Sequence, residues 1–398
     1  MLSTGFPRFS GDLFGSFVLE LARELVAQGT AVTVVAPHQR GIPRAEVMDG
    51  VCVRRFAYVW PRRWQRVAYG DGIPTNLRRS WVTRCQVPLF LGGFLRTARQ
   101  AANGADLVHC HWSAAGLVGY WATRRCPRPL VLTVRGSDLH LQQGISGRLN
   151  AWVWRRMDRV IAVSQDLASR LVEAGVPPAR TLVVRNGVSG RFVPLDRQQA
   201  RTRLGLPNDR YVILFVGLLV PVKGVDVLLA ALRQLADPRC LCVLVGDGSE
   251  RNALVATAAA AGLGQQVRFA GAQSSADIPW WMGAADVLVL PSRSEGRPNV
   301  VLEAQACGLP VIATQVGGTP ELVEHQRSGW LVPPEQPGAL AAAVACLRDD
   351  PQLAARLGAE GHARVGRSDA TWAASARHTR AVYSELLAAW GGHVRHCG

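Results

Sequence analysis

Residues 211–236, YVILFVGLLVPVKGVDVLLAALRQLA, carry the pattern from which the architecture follows. Tyr211 to Val216 form an apolar run without alternation that stops at Gly217, as expected of a strand buried on both faces. From Val225 the apolar positions recur at helical spacing, so a helix is expected over VDVLLAALRQLA. Strand, short loop and helix in that order are the building unit of a parallel α/β sheet. The loop holds Lys223, the single lysine in a chain of 45 basic residues. Where every other cation is Arg, a compact ammonium on a slim stem points to a crowded pocket. Phosphate oxygens are its usual target.

The same alternation runs through the chain. AVTVVAP, DLVHCH, PLVLTVRG and DRVIAVS read as strands in the first half, with FVLELARELVAQG as an amphipathic helix ending at Gly29. LCVLVGDG, VRFAG, DVLVLPS and PVIATQVGG read as strands in the second half, and SEGRPNVVLEAQACG reads as helical. The fold class expected is therefore α/β, with two Rossmann-like, doubly wound parallel-sheet domains. Residues 1–190 would form the first and 191–370 the second, the boundary lying in the turn-rich, charged stretch 186–210. Residues 371–398 are expected to form a C-terminal helix that packs back on the first domain. The opening MLSTGFPRF leaves only about two residues before a loop, where about five are usual for a strand. An unusually short first strand, or missing upstream residues, is expected there.

Composition narrows the function classes. Apolar residues make up 48% and charged residues 19%, which suits packed globular domains rather than disorder. No stretch has the length of a membrane-spanning helix or the shape of a signal peptide. Nine Cys lack CxxC spacing, so neither a zinc site nor a disulfide framework is expected, and a reducing cytosol is. Cys240 and Cys242 read as buried neighbours on one strand face. Residues 1–190 carry a net charge of +14 and the remainder +2, so the two halves are expected to meet different partners.

The candidate chemistry lies where strands end. In LPSRSEGRPNVVLEAQACGLPVIATQVGGTPELV, Glu295 follows a strand and falls in its carboxyl-end loop, whereas Glu303 falls inside the helix that Pro298 opens. The backbone amides of Arg297, Asn299 and Val300 stand at that helix's N-terminus, where donors and dipole favour phosphate; Pro298, lacking an N–H, is outside the cradle. A second Gly-rich turn, Gly317-Gly318, is followed by Thr319 as an expected N-cap and Pro320 opening a helix. No Asp-x-Asp stands at a strand end, and Asp349-Asp350 falls in a turn between helices, so no metal is expected.

With Lys223 in VGLLVPVKG, Glu295-x7-Glu303 and the GGTPE loop, the second half resembles that of glycosyltransferase family 4, retaining enzymes of GT-B fold. FPRFSGDLFGSFVLELARELVAQG, VHCHWSAAG, LTVRGSDL and RNGV follow the same family order in the first half. The resemblance covers residues 1–390 and implies two Rossmann-like domains facing a cleft, with a nucleoside diphosphate sugar held mainly by the second. It implies that Lys223 neutralises the diphosphate, with Gly217 letting the backbone approach; the loop of Gly11 and Gly15 would also approach the diphosphate, the base would lie against Gly246 to Gly248 and Gly271, and Gly296 would lie on the donor side. Arg297, Asn299 and Val300 would add donors, Glu303 would hold the ribose, and Glu295 would contact the transferred sugar. His111 would bond the sugar or assist the leaving phosphate, and Arg135 and Asp138 would lie on the acceptor side. The sugar nucleotide is a substrate, so no cofactor is implied. Three positions depart from the family pattern: Leu218 where Arg is common, Arg135 where His is frequent, and Ser189 where Asp is common.

Ten Arg and one acid, Asp71, lie between residues 54 and 99, interleaved with Trp60, Trp64, Tyr69, Trp81, Phe90 and Phe94. Arg with Trp suits an anionic membrane surface, the cation meeting lipid phosphate and the indole the headgroup boundary. A cytoplasmic protein, peripheral on the inner face of a membrane, is the expectation. Its acceptor would be a hydroxyl, lipid-linked, on a polysaccharide or on a small soluble alcohol, in cell-envelope or exopolysaccharide synthesis. Two alternatives stand beside it: a nucleotide-sugar epimerase of the same architecture, and a non-enzymatic nucleic-acid-binding protein using the Arg-rich half. Nucleic acid is the less expected partner, and a dinucleotide oxidoreductase is disfavoured because no Gly-x-Gly-x-x-Gly follows the first strand.

Overall fold

A computed structural model describes residues 1–70, 72–139 and 144–391. Asp71 and residues 392–398 of the expected C-terminal helix lie outside them. The chain divides into two compact units, Met1–Asn186 with Trp372–Gly398, and Gly187–Thr371.

The first unit contains β1 (Leu2–Ser3), α1 (Ser16–Ala27), β2 (Thr33–Pro37), β3 (Ala45–Met48), β4 (Val51–Phe56), α2 (Ile73–Arg79) and α3 (Trp81–Ala102). It continues with β5 (Val108–His111), α4 (Ser113–Ala122), β6 (Leu130–Val134), α5 (Gly136–Leu139), α6 (Gly144–Trp154), β7 (Arg159–Ala162), α7 (Gln165–Glu173) and β8 (Thr181–Val183). The sheet order is β3-β4-β2-β1-β5-β6-β7-β8. Every pairing is parallel except that of the edge strand β3 on β4. As its sequence suggests, β1 is two residues long, yet it holds the centre of the sheet. Leu2 pairs with Val35 on one side and Cys110 on the other.

The second unit contains α8 (Arg197–Leu204), β9 (Tyr211–Val216), α9 (Val225–Leu235), β10 (Cys240–Val245), α10 (Arg251–Ala260), β11 (Val267–Gly271) and α11 (Ile278–Ala284). β12 (Val287–Leu290), α12 (Asn299–Ala306), β13 (Val311–Thr314), β14 (Trp330–Val332), α13 (Pro337–Asp349) and α14 (Pro351–Arg367) complete it. Its sheet, β11-β10-β9-β12-β13-β14, is parallel throughout. Both faces are covered by helices, which is why its strands read as unbroken apolar runs. Cys240 and Cys242 are fully buried in β10, on one face as their spacing requires. The chain then returns to the first unit as α15 (Trp372–Ala389), whose Trp372, Ala376, Val382, Tyr383 and Leu386 share a core cluster with Leu21 and Leu25 of α1.

Two local expectations need correction. No α-helix follows Gly317-Gly318: Thr319–Glu321 form a single 3-10 turn capped by Gly318, and Thr319 lies buried inside it. The turn is braced by backbone contacts to neighbouring loops rather than by a side-chain cap. In the basic stretch, Tyr69, Phe90 and Phe94 are core residues and not surface anchors. Phe90 and Phe94 occupy one face of α3, where Phe94 stacks on Phe56 with centroids 4.5 Å apart. Arg55 is buried as well, paired with Glu46 at 2.7 Å. Trp60, Trp64 and Trp81 remain exposed, at 80%, 53% and 74%, among exposed Arg62, Arg63, Arg66, Arg78, Arg79 and Arg84.

Candidate active site

The parallel strands of each sheet reverse their order once, and the loops that leave the carboxyl ends at that point diverge to open a crevice. In the second unit the reversal lies between β9 and β12. The loop after β9 carries Lys223 and the loop after β12 carries Glu295, so topology alone brings the two together. Lys223 Nζ donates to Glu295 Oε1 at 2.5 Å. Ser292 Oγ donates to the same oxygen at 2.6 Å, and Thr314 Oγ1 at the end of β13 donates to the Ser292 carbonyl at 2.5 Å. Glu295 is 9% exposed, whereas the Lys223 side chain keeps 24%.

Glycines let these loops interlock. Gly224, with φ +64°, follows Lys223 so closely against β12 that a Cβ would lie 2.1 Å from the Pro291 carbonyl oxygen. At Gly317 (φ +51°) a Cβ would fall 1.8 Å from the Glu295 carbonyl oxygen. The Gly318 amide donates to the Gly296 carbonyl at 3.1 Å. Farther along the edge, Gly217 donates to Val245 O at 3.0 Å and Gly246 to Gly271 O at 2.9 Å. The amides of Arg297, Asn299 and Val300 lie at the start of α12, which Pro298 caps, and the half-buried Glu303 lies one turn further on. Lys223, Glu295, Gly217, Gly246, Gly271 and Gly296 thus lie at or just beyond the carboxyl ends of strands of the second sheet, whereas Gly15 belongs to the first unit.

Arg293 is a participant that spacing did not flag. Its amide donates to Val222 O at 2.8 Å, and its guanidinium holds Asp226 at 2.7 Å, fastening the β12 loop to the Lys223 turn. The bond with Asp226 holds that carboxyl below its usual range and raises the guanidinium. Leu218, at the position where the family often has Arg, is 41% exposed.

In the first unit the order reverses between β1 and β5. Gly15 ends the loop after β1 as the cap of α1, with φ +70°, and a Cβ there would meet Gly5 O at 2.5 Å. His111 ends β5, fully buried, and neither ring nitrogen has a hydrogen-bond partner among the described residues. Burial, then the neighbouring His109 and Arg135, hold its pKa well below the ordinary imidazole value, so the ring is neutral. Its ring centroid is 4.4 Å from that of His109. His109 is fixed between Thr133 Oγ1 at 2.7 Å and the hydroxyl of Tyr383 at 2.5 Å. Tyr383 lies on α15, 274 residues away, and nothing local in sequence signals it. Asp138 is engaged structurally: its oxygens accept from the amides of Ser113 and Arg135, both at 2.9 Å. Burial raises the Asp138 carboxyl and lowers the Arg135 guanidinium to about 9.

Residues 196–364 match the family model described as glycosyl transferases group 1, and residues 15–187 match the glycosyl transferase 4-like domain. A D-inositol 3-phosphate glycosyltransferase of Thermobispora bispora is 34% identical over 95% of this chain and 91% of its own length. D-inositol 3-phosphate glycosyltransferase 2 of Catenulispora acidiphila is also 34% identical, over 95% of this chain and 91% of its own. Among solved structures, sucrose-phosphate synthase from Thermosynechococcus elongatus aligns with a TM-score of 0.81 at 27% identity, covering 94% of this chain and 93% of that one.

Proposed function

This chain belongs to the group 1 glycosyl transferases, with the two α/β units of the GT-B fold, and we propose that it moves a sugar from a nucleoside diphosphate sugar to an acceptor hydroxyl with retention of configuration. The Lys223–Glu295 pair at the strand-order reversal of the second unit carries this reading. Lys223 takes the diphosphate oxygens, and the amides at the start of α12 add donors aligned with the helix dipole. Negative charge grows on the leaving diphosphate as the anomeric bond breaks, so these fixed donors stabilise the transition state more than the ground state. Glu295, held by Ser292 and Lys223, contacts the transferred sugar, and Glu303 takes the ribose hydroxyls.

The acceptor hydroxyl attacks the anomeric carbon from the face the diphosphate leaves, and a departing phosphate oxygen accepts the hydroxyl proton. His111, kept neutral by burial, hydrogen-bonds the sugar or the leaving phosphate. No metal is required in this scheme, because the charge is met by Lys223 and backbone N–H groups.

The relatives named for D-inositol 3-phosphate support a hydroxyl of a polyol or sugar as the acceptor. The exposed Trp and Arg side chains between residues 60 and 84 support a cytoplasmic enzyme docked on an anionic membrane, acting on a lipid-linked acceptor in cell-envelope or exopolysaccharide synthesis. No helix among the described residues is long and apolar enough to cross a membrane. The test is transfer from a panel of nucleoside diphosphate sugars to polyol and lipid-linked acceptors, with the anomer of the product read by NMR. An α-linked product from an α-linked donor is expected; donor conversion without any acceptor would favour an epimerase instead.

A further inference from the structure

His109 and His111 are two residues apart on β5, so their rings share one face of the first sheet, with centroids 4.4 Å apart and planes 30° from parallel. The two rings are held differently. His109 Nδ1 meets the Tyr383 hydroxyl at 2.5 Å and Nε2 meets Thr133 Oγ1 at 2.7 Å, so a hydroxyl stands at each nitrogen. Both nitrogens of His111 are buried and have no hydrogen-bond partner among the described residues. Thr133 is also the residue paired with His111 across β5 and β6. Tyr383 stands edge-on to His109, with centroids 5.6 Å apart at 82°. It lies on α15, which the chain forms only after leaving the second unit at Thr371. His109, His111, Thr133 and Tyr383 are all buried, none more than 7% exposed.

A side chain that acts on a reacting centre must be held to a fraction of an ångström, by hydrogen bonds or by the neighbours it packs on. His111 makes no hydrogen bond within the described residues, so its packing has to orient it, and the His109 ring lies against it. An imidazole with a hydroxyl at both nitrogens cannot tilt or turn over without breaking a hydrogen bond inside the core, which makes His109 a rigid floor. Resting on the transferase reading, in which His111 meets the sugar or the leaving phosphate, we propose that Tyr383 is a positioning residue for the transfer step: its hydroxyl locks His109, and His109 sets the plane of the His111 ring. Thr133 is the second lock. The C-terminal helix thereby serves the chemistry as well as the core it shares with α1.

Tyr383→Phe removes the hydroxyl and keeps the ring. Rates are compared for wild type, Y383F, H111A and Y383F/H111A, with the nucleoside diphosphate sugar and the acceptor that give wild type its highest rate. Y383F should lower kcat about 10-fold, with both KM values within about twofold of wild type. In the H111A background the same change should cost nothing further, because the path from Tyr383 runs through His111. Val382→Ala, buried in the core shared by α1 and α15, is the control for loosened packing: its melting temperature should fall while kcat stays within about twofold. NMR of the whole chain labelled with 15N-histidine reads the ring without any activity: the His111 signals should be sharp in wild type and V382A, and broadened or doubled in Y383F. A kcat unchanged by Y383F, an equal loss with and without His111, or His111 signals identical in Y383F and wild type would overturn the positioning role. Where H111A shows no rate above background, the ring signals decide. Should Y383F fail to fold, Thr133→Val, which removes the hydroxyl at the other nitrogen, is read on the same terms. Absence of transfer by wild type from every donor in the panel overturns the transferase reading and this inference with it; wild-type transfer that Y383F leaves unchanged overturns the inference alone.

Discussion

Lys223 and Glu295 meet with Nζ 2.5 Å from Oε1 although 72 residues separate them, because β9 and β12 are neighbours where the sheet order reverses. The pair assigns opposite tasks to its members: the ammonium attracts phosphate, and the carboxylate repels it. Glu295→Gln is therefore expected to lower kcat/KM for transfer by about 100-fold or more while nucleoside diphosphate affinity stays equal or increases. Steady-state rates with parallel calorimetry would check it; a loss of nucleotide affinity matching the loss of rate would place Glu295 on the phosphates instead.

The Gly317 position tests how tightly the loops interlock. A Cβ there falls 1.8 Å from the Glu295 carbonyl oxygen, so Gly317→Ala must displace the Glu295 loop. Destabilisation of about 1–3 kcal/mol is expected, as for overpacking generally, together with a fall in kcat. Gly262→Ala is the control, since Gly262 also has positive φ, +71°, but nothing within 4 Å of the added methyl. Denaturant melts and rates of the two variants should diverge.

The buried histidines predict a pH dependence of stability. His109 is lowered to about 3, first by burial and then by positive charge, and His111 is lowered well below its ordinary value. Between about pH 3 and the unfolded value near 6.5, the unfolded chain binds more protons than the folded one. Stability is therefore full above about 6.5 and falls as pH drops through that window, by up to about 1.4 kcal/mol per pH unit for each histidine. Melting temperatures from pH 7 to 4 should show the fall, and His109→Gln should flatten it. An unchanged slope in that variant would remove His109 from the account.

The exposed Trp60, Trp64 and Trp81, with the exposed Arg around them in sequence, predict salt-sensitive retention on vesicles containing anionic lipid, with little on neutral ones. Replacing all three Trp by Ala should weaken retention without changing transfer to a soluble acceptor. Cosedimentation across a salt series measures it, and equal retention on neutral vesicles would oppose electrostatic docking.

How far the site could be read from residues alone depended on whether its causes are local. The strands at 211–216, 240–245, 287–290 and 311–314 were legible because a parallel strand buried on both faces must be continuously apolar. Lys223 and Glu295 were legible as loop residues, but their contact follows from sheet order, which periodicity does not reveal. Phe90 and Phe94 looked like membrane anchors beside so many Arg. Only the packing of α3 on Phe56 shows that they belong to the core. Tyr383 and Arg293 act through partners distant in the chain, so no local pattern marks them.

Calorimetric titration of a panel of nucleoside diphosphates into wild type and Lys223→Ala tests the donor site most directly. One base is expected to bind wild type with a 1:1 stoichiometry and to lose about 30-fold or more in affinity when the ammonium is removed. No binding by any diphosphate in the panel, or equal affinity for both proteins, would contradict the assignment of that edge to the sugar nucleotide.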